Sequence, residues 1–194
     1  ARSMSNAKQV KAAAPLNNGL PSVDGFDSGD GVSLFNTSHT TVSGTSVKNT
    51  LTTQADLNET SLEQALIDIA SFTDERGLRV AAKGMKMIIP SANQFSAERL
   101  LKSQGRTGTA DNDINAVASM GMVPQGYRVN NFLTDSDSWY IITDVPNGMK
   151  MFTRAPLTTA MEGDFDTGNV RYKARERYSF GVSDYRGIFG VEGA

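Results

Sequence analysis

The clearest pattern in the chain is a strict alternation of apolar and polar residues between positions 170 and 182. A period of two is typical of a β-strand that has one face on a core. At about 3.3 Å per residue the segment spans roughly 40 Å, about twice the length of a typical strand. The apolar set is Val170, Tyr172, Ala174, Tyr178, Phe180 and Val182, with Glu176 as its exception, and the polar set is Arg171, Lys173, Arg175, Arg177 and Ser179.

Helical spacing of apolar residues appears in two earlier segments. The first covers residues 1–14, and Pro15 with the Asn17-Asn18-Gly19 cluster predicts its end. The second covers residues 60–75, where Thr60 and Glu63 predict a capping box. Its apolar stripe predicts one face packed on a core. The stripe is Leu62, Ala65, Leu66, Ile69 and Ala70.

A strand followed directly by a helix is predicted in the middle of the chain. Residues 78–89 are strand-like, and Pro90 stops the strand. Ser91 and Gln94 predict a second capping box that opens a helix from Asn93 to Ser103. A shorter strand is predicted within residues 31–41, followed by a flexible loop over residues 42–53.

Two further strands are predicted over residues 127–132 and 138–143. Pro146-Asn147-Gly148 predicts a hairpin turn that joins the second of these to a strand over residues 149–156, because Asn-Gly accepts positive φ angles. The whole pattern predicts an α+β chain. Its middle region lies between N-terminal helical segments and the long C-terminal strand.

Composition excludes several classes of protein. A chain of 194 residues forms one domain or two small ones, and 39% apolar with 21% charged residues is ordinary for a soluble globular protein. A net charge of −2 gives no global attraction to DNA or to an anionic membrane. The absence of cysteine excludes disulfides, thiol catalysis and cysteine zinc sites. No apolar run approaches the ~20 residues of a membrane span, so a soluble protein is expected.

No candidate catalytic, cofactor or metal site meets the spacing that its chemistry requires. The acidic loop with Asp24, Asp27 and Asp30 lacks the alternating pattern of a calcium loop, and GDFDTGN at 163–169 fails the same test. His39, the only histidine, has no nucleophile motif to serve, and it is interpreted as a surface or hydrogen-bonding residue. The glycine-rich loop at 104–113 matches no phosphate-binding pattern, so no cofactor is predicted.

The basic side chains at 171, 173, 175 and 177 allow two interpretations. They form a solvated face that discourages edge-to-edge aggregation, or they contact acidic groups on another subunit or nucleic acid. Spacing alone leaves both open.

Long runs of the sequence resemble the C-terminal end of the major capsid proteins of tailed bacteriophages, of the Mu-like head-subunit type. The main run is DFDTGNVRYKARERYSFGVSDYRGIFG, and the resemblance covers nearly all of the chain in matched order. The other runs are GVSLFNTSHT, SLEQALIDI, KMIIPSANQFSAERLL, GTADNDINA and GYRVNNFLTDSDSWYIITDVPNGMK.

The resemblance implies the phage major capsid fold (Hong Kong 97-type, or Johnson fold). Residues 1–76 and 158–194 are then expected to form a peripheral domain with the end of a spine helix, a second helix and the long strand. Residues 77–157 are expected to form an inserted axial domain. The sequence begins in mid-helix, so the family's N-terminal arm and hairpin loop are expected to be absent from this chain.

The function implied is structural, with no enzymatic activity. A subunit of this kind self-assembles into hexamers and pentamers of an icosahedral capsid that encloses double-stranded DNA. It forms in the host bacterial cytoplasm and ends in the virion. Scaffold, protease, portal and decoration proteins are possible partners, and no membrane is involved.

Two regions are expected to contact other subunits. The basic face of Arg171, Lys173, Arg175 and Arg177 is expected to meet carboxylates of a neighbour. The 104–113 loop, with Arg106, Asp111 and Asp113, is expected near a capsomer axis. The alternatives are the shell of a bacterial nanocompartment (encapsulin-like), a Ser/His hydrolase that uses His39, and a monomeric binding module, which the overlong strand disfavours.

Overall fold

The computed structural model describes residues 2–23, 25–106, 113–163, 166 and 168–194. Helices and strands alternate irregularly along these residues, as expected for a mixed α and β chain. The helices are α1 (Arg2–Asn18), α2 (Glu59–Ala70), α3 (Gln94–Lys102) and α4 (Ala116–Met120), with short 3₁₀ turns at Ser91–Asn93 and Tyr185–Gly187. The strands are β1 (His39–Thr40), β2 (Ser46–Val47), β3 (Gly84–Ile89), β4 (Tyr127–Val129), β5 (Trp139–Thr143), β6 (Met149–Gly163), β7 (Val170–Val182) and β8 (Ile188–Val191).

A four-stranded sheet in the order β4-β3-β5-β8 forms the centre of the molecule. β3 and β4 run parallel, whereas β5 is antiparallel to both β3 and β8. At the middle of the sheet Ile141 lies between Met87 and Phe189, and all three side chains are fully buried. Sequence patterns predicted β3 and β5, although β3 begins at Gly84 rather than at residue 78. The patterns did not predict β8.

Helix α2 packs its predicted apolar stripe into the core. Leu62, Ala65, Leu66 and Ile69 are buried, whereas Ala70 is exposed. The predicted Thr60–Glu63 capping box is wrong, because Asn58 is the N-cap. The Asn58 side chain accepts from the Ser61 amide, and the Ser61 hydroxyl accepts from the Asn58 amide. The helix also ends at Ala70 rather than near residue 75.

The predicted capping box at Ser91 is also absent. A 3₁₀ turn over Ser91–Asn93 leads into α3, and neither Pro90 nor Asn93 makes a side-chain cap hydrogen bond. The helix itself is confirmed, one residue shorter at each end than predicted.

Helix α1 runs through Pro15, so the prediction that Pro15 ends it is wrong. Pro15 lies in the last turn and is buried, and its own carbonyl accepts from the Gly19 amide at 3.1 Å. Burial of the ring offsets the one backbone hydrogen bond that proline cannot make. The end at Asn18 agrees with the Asn-Asn-Gly prediction. A Cβ on Gly19 would lie 2.6 Å from the Pro15 carbonyl, which is why a glycine stands there.

Strands β6 and β7 form a separate antiparallel pair, which we call the ribbon. β7 has the predicted bounds, but β6 continues past Pro156 to Gly163. Pro156 falls in a register shift between Ala155 and Thr158, where the missing amide costs no ladder hydrogen bond. The predicted hairpin between β5 and β6 is wrong. The turn exists, with Asn147 at φ 66°, but both edges of β5 are already occupied by β3 and β8.

Candidate functional site

The basic side chains predicted as an intersubunit contact lie along one face of β7. Arg171, Lys173, Arg175 and Arg177 are all exposed; we call these four the basic row. Their cross-strand neighbours on β6 are Glu162, Ala160, Thr158 and Ala155 in the same order. Only the first of these neighbours carries a charge, so the face as a whole is cationic.

The opposite face of the ribbon packs under α1 near the sheet. Lys8 of α1 donates to Glu176 at 2.5 Å, and its ammonium group lies 5.2 Å from the centre of the Tyr178 ring. The Glu176 side chain is only 10% exposed. The one charged residue on the apolar side of the strand is therefore the partner of a helix lysine. Sequence reasoning noted Glu176 as an exception but did not find this partner, which lies 168 residues away.

Farther out, the apolar face of the ribbon has no cover among the described residues. Tyr172 and Met161 face each other across the two strands and are 65% and 72% exposed. Val170, on the same face, is 67% exposed. We call these three residues the distal patch. The ribbon thus carries exposed apolar groups on one face and the basic row on the other.

The predicted contact loop at 104–113 is described only at its two ends. Arg106 Nε lies 3.0 Å from Glu59 Oε2, and its Nη1 lies 3.5 Å from Asp113 Oδ2. The hydrogen bond with Glu59 raises the pKa of Arg106 above its already high value. The structure therefore brings Arg106 and Asp113 together, and their ion pair lies within one chain. Asp111, the third predicted residue, lies outside the described residues.

His39 lies in the core rather than on the surface, so the surface part of its interpretation is wrong. Its Nδ1 lies 2.6 Å from Asp30 Oδ2, and its Nε2 donates to Asn49 Oδ1 at 3.1 Å. The ring stacks on Tyr185 with centroids 4.0 Å apart. A hydrolase would need Nε2 to face a serine hydroxyl, but here it faces the oxygen of a buried amide. The hydrogen-bonding part of the interpretation is confirmed.

Asn49 fixes the orientation of this buried cluster. Its Nδ2 donates to the Leu34 and Tyr185 carbonyls at 2.7 and 3.2 Å, which turns its Oδ1 toward His39 and the Asn36 amide. Two remote parts of the chain are joined through one side chain. No sequence signal indicates this role, because Asn49 stands in a polar segment that was predicted to be a loop.

A buried arginine lies next to this cluster. Arg186 is 6% exposed, donates to Glu75 at 2.6 Å and to the Thr73 carbonyl at 2.7 Å, and lies over the Tyr185 ring. The hydrogen bond from Arg186 holds the pKa of Glu75 below its usual value. Burial raises the pKa of Tyr185 to about 12. The available sequence signal was an arginine directly before the apolar residues 188–191, and a buried arginine is rare unless it is paired.

The described residues contain no group of three or more histidine, aspartate or glutamate side chains that could hold a metal. Asp30, from the tested acidic loop, faces His39, whereas Asp24 and Asp164 lie outside the described residues. No described helix is long and apolar enough to cross a membrane.

Comparisons with known proteins give a match to one protein family. A family model for phage capsid proteins matches residues 1–191. No curated protein matches the chain. Among solved structures, the capsid of an empty GTA particle aligns with 98% of this chain and 65% of its own, at 17% identity and a TM-score of 0.50.

Two further structures align less well. A structure of Mycobacterium phage Che8 aligns with 75% of this chain at 16% identity and a TM-score of 0.45. A virus-like particle from Pyrococcus furiosus aligns with 78% at 14% identity and a TM-score of 0.46. The chain spans 54% to 65% of the length of these three structures.

Proposed function

Because the chain belongs to the phage capsid protein family, we propose that it is the shell-forming part of the major head protein of a tailed bacteriophage, of the Mu-like type. The fold proposed is the Hong Kong 97 type, and the residues given are proposed to correspond to the C-terminal portion of that fold. The role is structural rather than enzymatic. The family match over residues 1–191 and the likeness to the GTA capsid fold support this proposal.

The ribbon is the observation that carries the proposal. A two-stranded antiparallel pair is at best marginally stable in water when nothing covers it. Here β6 and β7 run 15 and 13 residues, and the distal patch exposes three large apolar side chains. In an assembled shell, neighbouring copies of the chain would cover the exposed faces of the ribbon. Exposed apolar patches mark protein interfaces in general.

The basic row is proposed to meet carboxylates of a neighbouring subunit. The distal patch and the basic row lie on opposite faces of one thin ribbon, so a neighbour on each face would bury both. An ion pair in such a contact fixes register more than it adds affinity. Packaged double-stranded DNA is proposed as a non-specific partner of the finished shell. Its contacts would be confined to local basic faces, because the net charge of −2 gives no global attraction to DNA.

The proposed division of the chain follows the family layout. Residues 1–76 and 158–194 form the peripheral domain and residues 77–157 the axial domain. The boundary at 157/158 falls inside β6, and β8 pairs with β5 of the axial part. The two domains would therefore be joined through strands rather than through a flexible linker. The 104–113 loop is proposed to lie near a capsomer axis.

Assembly is proposed to give hexamers and pentamers that close into an icosahedral shell in the host cytoplasm and end in the virion. Scaffold, protease, portal and decoration proteins complete the set of proposed partners. Weak contacts of matched geometry are sufficient to hold such a shell together, because each subunit of a closed symmetric assembly makes several of them at once.

The test is electron microscopy of the full-length protein, together with size-exclusion chromatography. We expect rings or closed shells, and a protein that stays monomeric at every concentration would overturn the proposed function. A variant with Lys173, Arg175 and Arg177 changed to Glu should remain folded, because these side chains are exposed, and should fail to assemble.

The matched control changes three other exposed cations, Arg76, Arg79 and Lys83, to Glu, with the same change in net charge. It should assemble like the wild type. If the ribbon variant also assembles normally, the role of the basic row is wrong while the shell function stands. Genome-length DNA inside particles from infected cells would separate a phage head from a cargo compartment.

A further inference from the structure

One exposed aromatic side chain on α3 has no role in the core of its own subunit. Phe95 is 71% exposed, whereas Ala97 and Leu100 supply the buried face of the helix. Arg99 stands one turn after Phe95 on the same exposed side. Its guanidinium has no ion-pair partner among the described residues. α3 thus presents an aromatic knob with a cation one turn farther along.

An apolar hollow of about 300 Å³ lies between α2 and α4. Ile67 and Ala70 of α2 line one side, and Val117 and Met120 of α4 line the other. Ile67 and Met120 are 62% and 70% exposed, so the hollow is open to solvent. Val117, at the floor of the hollow, belongs to the core, whereas Ile67 and Met120 are exposed and contribute little to it.

The rim of the hollow carries a negative charge. Glu63 stands one turn before Ile67 on the same side of α2 and also lines the hollow. No described residue forms an ion pair with it. The knob and the hollow therefore match in chemistry: an apolar group with a cation one turn away, and an apolar site with an anion one turn away.

The knob and the hollow lie at opposite ends of β3. Gly84, the first residue of β3, lies beside Leu66, which lines the hollow: a Cβ placed on Gly84 would lie 2.9 Å from the Leu66 side chain. The last residue of β3, Ile89, leads through Pro90 into the turn before Phe95. Five steps along the strand separate the two ends by roughly 17 Å. A subunit therefore cannot fill its own hollow with its own Phe95.

We propose that α3 of one subunit docks into the α2–α4 hollow of a second copy of this chain, with Phe95 in the hollow and Arg99 against Glu63. The order of the residues requires the two helices to run antiparallel, because the cation follows Phe95 while the anion precedes Ile67. This inference rests on the proposed shell function and names the surfaces that it uses.

The symmetry of the contact follows from its two unlike surfaces. Each copy offers a knob at one end of β3 and a hollow at the other, so the contact is head-to-tail. Head-to-tail contacts generate a ring where the rotation between copies closes. A two-fold dimer, in which the same patch meets itself, does not use this pair of surfaces.

Crosslinking gives the first test, because the chain has no cysteine. Glu63→Cys with Arg99→Cys keeps both Phe95 and the hollow. A short bismaleimide should join copies into a covalent ladder on a denaturing gel. Either single variant should give no ladder. A second control combines Arg99→Cys with Leu78→Cys and should also give none, because Leu78 is 64% exposed but lies outside the hollow. Adding Phe95→Ser to the double variant should abolish the ladder.

Charge exchange gives the second test. Glu63→Arg and Arg99→Glu, taken singly, should each raise the protein concentration needed for assembly by at least about tenfold, since each places like charges together. The double variant should return that concentration toward the wild-type value. Circular dichroism of each variant checks that the subunit is folded.

The outcomes separate the two proposals. If the wild type assembles but the cysteine pair gives no ladder and the single charge variants assemble normally, the contact is wrong and the shell function stands. If the wild type forms no assembly at all, the shell function is wrong and the contact is overturned with it. A Phe95-dependent ladder with charge rescue supports both.

Discussion

Replacing Asn49 with alanine should cost the subunit a large part of its stability. Asn49 is fully buried and its side-chain amide makes five hydrogen bonds, the longest of them from Nδ2 to the Ile188 carbonyl at 3.5 Å. It donates to the Leu34 and Tyr185 carbonyls, and it accepts from the Asn36 amide and from His39 Nε2. These bonds join two segments that are about 140 residues apart in the sequence. Alanine replaces none of them.

The expected loss in the free energy of unfolding follows from the polar groups that alanine leaves without a partner. A typical hydrogen bond contributes about 1 kcal/mol net, and a buried polar group left without a partner costs about 1–3 kcal/mol. Alanine leaves two donors and three acceptors without this partner, and relaxation of the surroundings relieves part of that cost. We expect a loss of about 3–5 kcal/mol in the free energy of unfolding. That is a large fraction of the 5–15 kcal/mol typical of a folded domain.

Equilibrium urea unfolding measures this loss, at a protein concentration where the wild type is one unassembled species. With a slope of about 2 kcal/mol per molar urea, the midpoint should fall by roughly 1.5–2.5 M. Asn131→Ala is the matched control, because Asn131 is exposed, and it should stay within about 0.5 kcal/mol of the wild type.

A loss below about 1 kcal/mol for Asn49→Ala would refute the reasoning. It would mean that the freed carbonyls and amides find other partners, and that the amide is not what joins the two segments.

Two further predictions concern the same part of the molecule. Gly187→Ala should destabilise the subunit by more than about 2 kcal/mol in urea unfolding, because the new Cβ would overlap the backbone of Gly148. The control Gly163→Ala should be neutral, because no atom lies near the position of its new Cβ. Glu75 has a lowered pKa because Arg186 hydrogen-bonds to its carboxylate. Its contribution is therefore complete above its ordinary pKa of 4.5 and is lost as the pH falls through the lower folded-state value. Urea midpoints between pH 6 and pH 3 should fall less steeply in Glu75→Gln, and equal slopes would contradict this assignment.

The sequence predicted the elements whose side chains repeat with a regular period. The bounds of β7 and most of the buried face of α2 are confirmed, because each follows from a local pattern of side chains. The described residues nevertheless provide no core under the outer part of β7. The exposed position of the basic row follows from the same alternation, while its role as a contact stays a prediction.

Pairing between remote segments could not be predicted in this way. The turn before Gly148 favoured a β5–β6 hairpin, but β5 pairs with β3 and β8, and no local signal shows that both of its edges are occupied. Glu176 looked like a break in an apolar face until α1 supplied Lys8. His39 and Asn49 stand in polar segments, which indicate solvent exposure unless the partners that satisfy them are known.

β5 pairs with strands that lie far from it in the sequence on both sides. Ile141 pairs with Met87, 54 residues before it, and with Phe189, 48 residues after it. Pairing such distant segments requires the closure of long loops, and the entropy lost is offset only after the strands have paired. Strands that pair in this way form slowly. Until β8 arrives, the apolar edge of β5 is open to any other strand. A newly made chain therefore keeps an unpaired strand edge, which favours aggregation, until β8 has paired with β5.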